Sequence, residues 1–286
     1  MLFGELIGSV SMHTMIDKIS LPLFVPADRP ERFAKAINAR PDAVIFDLED
    51  AVAPDNKAAA RQGLARVLAE LSSALPLIVR INAIGTAWHY DDLRIVKQLP
   101  LAAVMLPKSE SDDNIKCVAA RCEHPVIALI ESAKGLENAR KIAKTSARLA
   151  FGSIDYAADL AMGHTQLSLL NARSEIVLAS RLANIPAPLD GVTTAINAED
   201  ILLNDCAHSV ELGFGGKLLI HPAQIVLARE GFKPSQKELD WACRVLDAAQ
   251  SGDAALRVDG AMVDAPVILR ARQICLRAGT EFKTEG

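Results

Sequence analysis

Eight short apolar runs punctuate the chain, each bounded by turn residues or charge: LPLFVP (21–26), AVIFDL (43–48), PLIVRIN (76–82), AAVMLPK (102–108), PVIALIES (125–132), ARLAFGS (147–153), IPAPLDGV (185–192) and GKLLIHP (216–222). Their hydrophobicity is continuous, which marks strands covered on both faces, as in a parallel sheet. Between them the period becomes helical. DNKAAARQGLARVLAELSSAL (55–75) places Ala58, Leu64, Val67, Leu68 and Leu71 near one face and its charges on the other, and TQLSLLNARSEIVLASRLAN (165–184) does likewise. Asp28 stands three before Glu31 with Pro30 in the first turn, a capping-box spacing that predicts a helix start.

Eight strands alternating with helices predict an α/β fold of the (β/α)8, or TIM, barrel class. A doubly wound sheet is the alternative, but no Gly-rich dinucleotide turn follows any strand. After the eighth run, PSQKELDWACRVLDAAQ (234–250) reads as a helix, SGDAALRVDG (251–260) as a loop and APVILRARQICLRAG (265–279) as a final helix. The expected organisation is an N-terminal extension over 1–20, with Met12 or Met15 as alternative starts, a catalytic barrel over 21–232 and a helical segment over 233–286. A barrel is complete without that last segment, which is free to cap the barrel mouth or to reach a neighbouring subunit.

Composition narrows the class. Half the residues are apolar, the net charge is −4 and no Lys/Arg stripe forms, which argues against nucleic acid and membrane as partners. No apolar run reaches the roughly 20 residues of a membrane span. The first twenty residues carry Glu5 and Asp17 without a basic leader, unlike a signal or transit peptide. Cys117, Cys122, Cys206, Cys243 and Cys275 lack the paired spacing of a zinc site and read as reduced thiols of a cytoplasmic protein.

In such barrels the chemistry lies where strands end. There the chain offers Asp47, Glu49 and Asp50, then Arg80 and Asn82, Lys108, Glu131, Asp155, Asp190 and His221. So many polar groups at one rim point to a site, since ionised carboxylates leaving an apolar interior need a cation or donors. Glu131 and Asp155, on consecutive strands, suit a hard divalent cation such as Mg2+ with water and substrate oxygens completing the shell. Arg80 suits a carboxylate or developing oxyanion. Asp47, Glu49 and Asp50 would orient Arg80 and metal-bound waters. Lys108 at a strand end also admits a Schiff-base route, though a salt bridge to a rim carboxylate explains it more simply. Asp190 is expected to pair with Arg173 or Arg181, His221 to make a hydrogen bond within its loop, and Lys217 to be structural.

The motifs LFVPADRPERFAKA, IFDLEDAV, VRIN, LPKSES, ALIESAKGLENA, FGSIDYAADL, GKLLIHPAQI and MVDAP, in this order from Leu21 to Ala278, resemble the citrate lyase beta subunit-like family, within the aldolase superfamily that also holds malyl-CoA and citramalyl-CoA lyases. The resemblance implies a homotrimer and Mg2+ held by the Glu of IES and the Asp of FGxxD, here Glu131 and Asp155, with Asp159 a competitor for the second place. It implies that Arg80 binds the reacting oxygens. Asp264, the Asp of MVDxP, would come from a neighbouring subunit as acid or base. The expected reaction is Mg2+-dependent cleavage of a 3-hydroxyacyl-CoA thioester, (S)-citramalyl-CoA giving acetyl-CoA and pyruvate. L-malyl-CoA, the beta subunit of a carrier-protein-dependent citrate lyase and a silent scaffold are the alternatives. Ala27 stands where the family often has Gly, adding a methyl group at the first rim.

Overall fold

The apolar runs become eight parallel strands hydrogen-bonded in chain order. They are β1 (Pro22–Pro26), β2 (Ala43–Asp47), β3 (Leu77–Arg80), β4 (Ala103–Leu106), β5 (Val126–Ile130), β6 (Arg148–Phe151), β7 (Leu189–Asp190) and β8 (Gly216–Lys217). A computed structural model of the 286-residue chain describes residues 15–70, 75–250 and 257–279. The last strand returns to the first: Phe24 N donates to Leu219 O at 2.8 Å, Leu219 N to Pro22 O at 2.9 Å and Lys217 N to Ser20 O at 2.8 Å. Helices follow the strands, so the fold is a (β/α)8 barrel.

Alternation within each strand divides its side chains between two layers. Ile45, Ile78, Met105, Ile127, Leu129, Ala150, Leu189 and Leu218 fill the barrel interior, joined by Ile16 and Ile19. The other set meets the helices; Phe46, for example, packs edge-on against Phe33 with ring centres 4.6 Å apart. The segment read as an extension is therefore, from Met15, part of the barrel floor. Buried Arg148 holds it there, donating to the carbonyls of Ile16, Ile19 and Ala187. Gly216 passes so close to Ser20 that a Cβ would lie 2.0 Å from the Ser20 carbonyl oxygen.

Several local expectations change. β7 and β8 are two residues each, because Pro186 and Pro188 supply no ladder N–H and β8 continues only as the bridge from Leu219 to Leu23. Asp28 caps no helix: Pro30 takes the first turn, which makes Arg29 the cap of a 3-10 turn, Pro30–Arg32, ahead of the helix Phe33–Asn38. In the helix Lys57–Glu70, Ala58 is exposed, whereas Lys57, Ala60, Arg61, Leu64 and Leu68 are buried, so two cations face inward. Met12, Leu71 and the first six residues, 251–256, of the loop expected over 251–260 lie outside the described residues.

The chain divides into two units, Met1–Ala228 and Arg229–Gly286. In the second, the helices Gln236–Gln250 and Ala265–Arg277 share a core of Ala242, Val245, Leu246, Ala271, Ile274 and Cys275. An antiparallel hairpin, Arg257–Val258 with Ala261–Met262, turns through Asp259 and Gly260, both at positive φ. The five cysteines are free. Among the described residues no helix is long and apolar enough to cross a membrane.

Candidate active site

Register builds the first half of the site. Asp47 lies opposite Arg80 at the ends of β2 and β3, so carboxylate and guanidinium meet as a fork: Nε to Oδ1 at 2.8 Å and Nη2 to Oδ2 at 2.6 Å. Asp47 also accepts the N–H groups of Glu49 at 2.9 Å and Ala51 at 3.0 Å, which wraps the following turn around its side chain. Arg80 Nη1 stands 3.1 Å from Glu49 Oε2 and 3.7 Å from Asp50 Oδ2, and the guanidinium carbon lies 4.8 Å from the centre of the Phe24 ring. Burial disfavours the charge on Arg80, but the fields of Asp47, Glu49 and Asp50 and the bonds to Asp47 outweigh it and hold the group firmly protonated. The acids of the DLED stretch thus have a partner.

Glu131, one residue past β5, forms the second half. Its Oε1 accepts the backbone N–H of Lys108 at 2.7 Å. Burial pushes its pKa up to about 8, and the neighbouring charges of Glu49 and Asp155 add to the rise. Glu49 is pushed by burial to about 7, with Arg80 opposing and Asp50 and Asp47 adding. Gly152, after β6, clears the space beside Glu131: a Cβ there would lie 2.4 Å from Glu131 Oε2. Asp155, in the first turn of the helix Ser153–Asp159, is exposed and within electrostatic reach of Glu131. Asp159 Oδ2 instead accepts the N–H of Ala133 at 2.7 Å, tying that helix to the segment after Glu131.

The structure therefore brings Asp47, Glu49, Asp50, Arg80, Lys108, Glu131 and Asp155 to one rim. Asp264 belongs to the second unit, where it caps the helix Ala265–Arg277 by accepting Val267 N at 3.1 Å. The expected ion pair of Lys108 does not form among the described residues. At φ 47°, Lys108 turns its amide toward Glu131 and leaves its side chain exposed. Asp190 pairs with Arg173 (Nε to Oδ1, 3.0 Å), accepts Ser209 Oγ at 2.5 Å and lies 3.9 Å from Lys217. His221 accepts Ala223 N at 3.2 Å inside its loop.

A cation fits this donor set. Two buried carboxylates are driven toward protonation, and Glu49 Oε2, though paired with Arg80 at 3.1 Å, accepts no hydrogen bond. A hard divalent ion would relieve both conditions using few protein ligands and several exogenous oxygens. Among the described residues no three His, Cys, Asp or Glu side chains form a group that could hold a metal ion by themselves. Gly152, whose role is geometric, is what the sequence reading missed; a Gly directly after a strand was the available signal.

Comparison with known proteins places the chain among characterised folds and families. Residues 21–222 match the family model described as HpcH/HpaI aldolase/citrate lyase. A citrate lyase subunit beta-like protein of Deinococcus radiodurans is 38% identical over 270 residues, 88% of this chain and 94% of that one. A (3S)-malyl-CoA thioesterase of Cereibacter sphaeroides is 34% identical over 266 residues, 90% and 93% of the respective chains. The structure of Mycobacterium tuberculosis CitE in complex with magnesium, acetoacetate and coenzyme A superposes with a TM-score of 0.82 at 36% identity, covering 92% of this chain and 99% of that one.

Proposed function

The chain belongs to the HpcH/HpaI aldolase/citrate lyase family, and from that footing we propose that it is a Mg2+-dependent carbon–carbon lyase of 3-hydroxyacyl-CoA thioesters, with (S)-citramalyl-CoA as substrate and acetyl-CoA and pyruvate as products. The observation that carries the reading is the rim itself: a half-buried, donor-rich Arg80 set against carboxylates whose charge burial opposes. Likeness to a CitE complexed with magnesium, acetoacetate and coenzyme A supports the metal and the thioester.

Glu131 and Asp155 would hold Mg2+, which when bound supplies Lewis-acid charge to the substrate's hydroxyl and carboxylate oxygens and makes the hydroxyl easier to deprotonate. The chain's own residues do the rest. Of the five N–H donors of Arg80, two are spent on Asp47 and Nη1 faces Glu49 at 3.1 Å, so the second Nη2 hydrogen is the donor left to meet negative charge as the carbon–carbon bond breaks. Asp47 fixes the plane of the guanidinium. The hydroxyl proton would pass to solvent water, the carbon–carbon bond would break to a 2-oxo acid and a thioester enolate, and Asp264 in its protonated form, supplied by a neighbouring copy in a trimer, would give its proton to the enolate carbon and regain one from solvent. Lys108 positions Glu131 through its amide, and no Schiff base is needed.

The test is pyruvate release from (S)-citramalyl-CoA, coupled to lactate dehydrogenase, with Mg2+ and with EDTA, alongside L-malyl-CoA and a citryl carrier-protein thioester. EDTA-sensitive pyruvate supports the reading; turnover of another thioester alone reassigns the substrate. The likeness to a malyl-CoA thioesterase favours a second reading, hydrolysis, which would release free CoA thiol.

A further inference from the structure

Lys57 is one of the buried cations that the mechanism leaves unused. Lys57 opens the helix Lys57–Glu70 and is 5% exposed, although helical periodicity puts its charge on the solvent face. Its Nζ donates to two consecutive backbone carbonyls, Leu48 O and Glu49 O, each at 2.8 Å. It stands 4.9 Å from the centre of the Trp88 ring. No carboxylate lies within ion-pair distance of it among the described residues, while Asp47, Asp92, Glu49 and Asp50 all act on it through space.

Leu48 O also accepts Asn82 Nδ2 at 3.0 Å, and the same amide donates to Asp92 Oδ2 at 2.7 Å. Asp92, fully buried, is held in turn by Arg61 Nε and Asn82 N, each at 2.8 Å. The peptide joining Leu48 to Glu49 is thus pinned by side chains from two other elements, while Asp47 pins the turn from within. Burying an ammonium is costly, and these bonds join the first turn of its helix to the turn after β2. What they fix is the turn that carries Glu49, 3.1 Å from Arg80.

We propose that Lys57 is a positioning residue for the lyase reaction: by clamping the Leu48 and Glu49 carbonyls it keeps the Glu49 carboxylate set against Arg80. The proposal rests on the function above, and its test separates the two. Lys57→Met keeps the length of the side chain and removes its donors. The expected result is a fall in kcat of about 10- to 100-fold, the range of lost supporting contacts, with KM little changed. Faster amide hydrogen exchange in the peptide 47–52, without faster exchange elsewhere in the barrel, should accompany it. Lys57→Arg, which retains charge and donors, should recover most of both.

Wild-type kcat and exchange in Lys57→Met would overturn the proposal, as would exchange raised uniformly through the barrel. Should Lys57→Met fail to fold, Lys57→Gln, which keeps one amide donor, carries the same expectation and the same refutation. Exchange needs no substrate, so an inactive wild type would count against the reaction alone and the exchange result would still judge the clamp.

Discussion

Replacing Gly152 by Ala would add a methyl carbon 2.4 Å from Glu131 Oε2 and 2.5 Å from Glu131 Cβ. Gly152 sits at φ −86° and ψ 70°, outside the left-handed region, so the collision is the substitution's principal cost. Ordinary contact begins at 3.4 Å, and Glu131 must therefore retreat by about 1 Å. It cannot do so and keep the 2.7 Å bond from the Lys108 amide unchanged. Misplacement of that size costs about 100-fold in rate, or about 2.7 kcal/mol of barrier, while overpacking costs about 1–3 kcal/mol of stability. Calorimetric titration with Mg2+, turnover and urea unfolding on the same preparation separate the effects. A folded Gly152→Ala protein with wild-type Mg2+ affinity and turnover would refute the placement of Glu131 at the metal.

Arg80→Lys keeps the charge but not the fork to Asp47, and kcat should fall about 100- to 1000-fold, read in the coupled assay with protein shown to be folded. Asp190 is pushed up by burial, but Lys217, Arg173 and the Ser209 hydroxyl outweigh this and hold its pKa below the unfolded value of 3.8. Its contribution is thus complete above that pH and is lost as pH falls through the lower folded value. Asp190→Asn should cost about 3–5 kcal/mol near neutrality by leaving buried cations unpaired, and urea titrations at several pH values should show a smaller loss in acid than for the wild type. Arg148→Met leaves three carbonyls of the barrel floor without their donor and should cost about 3 kcal/mol or more; limited proteolysis should then cut near residues 15–20, while kcat of the folded fraction stays at the wild-type value.

Strands β1 to β6 are legible because burial on both faces writes an unbroken apolar run. The ends of β7 and β8 are not, since Pro186, Pro188 and the approach of Gly216 to Ser20 limit pairing in ways periodicity does not register. Reading every charge as solvent-facing misplaces the helix Lys57–Glu70, whose Lys57 and Arg61 take their charge inward to carbonyls and to Asp92. Ile16 and Ile19 lack a motif, and the arginine that fixes them is far along the chain. The hairpin in the second unit was written as Asp259–Gly260, a turn signal that a loop reading passes over. At the rim, the acids and Arg80 follow from strand-end position alone. The grip on Glu131 does not, because it comes from a backbone amide and an absent side chain, at Lys108 and Gly152.

The most direct test of the account compares wild type with Glu131→Ala for Mg2+ binding by calorimetry and for thioester cleavage at saturating Mg2+. The account predicts a folded variant in which both are lost. A Glu131→Ala protein that binds Mg2+ and turns over like the wild type would contradict it.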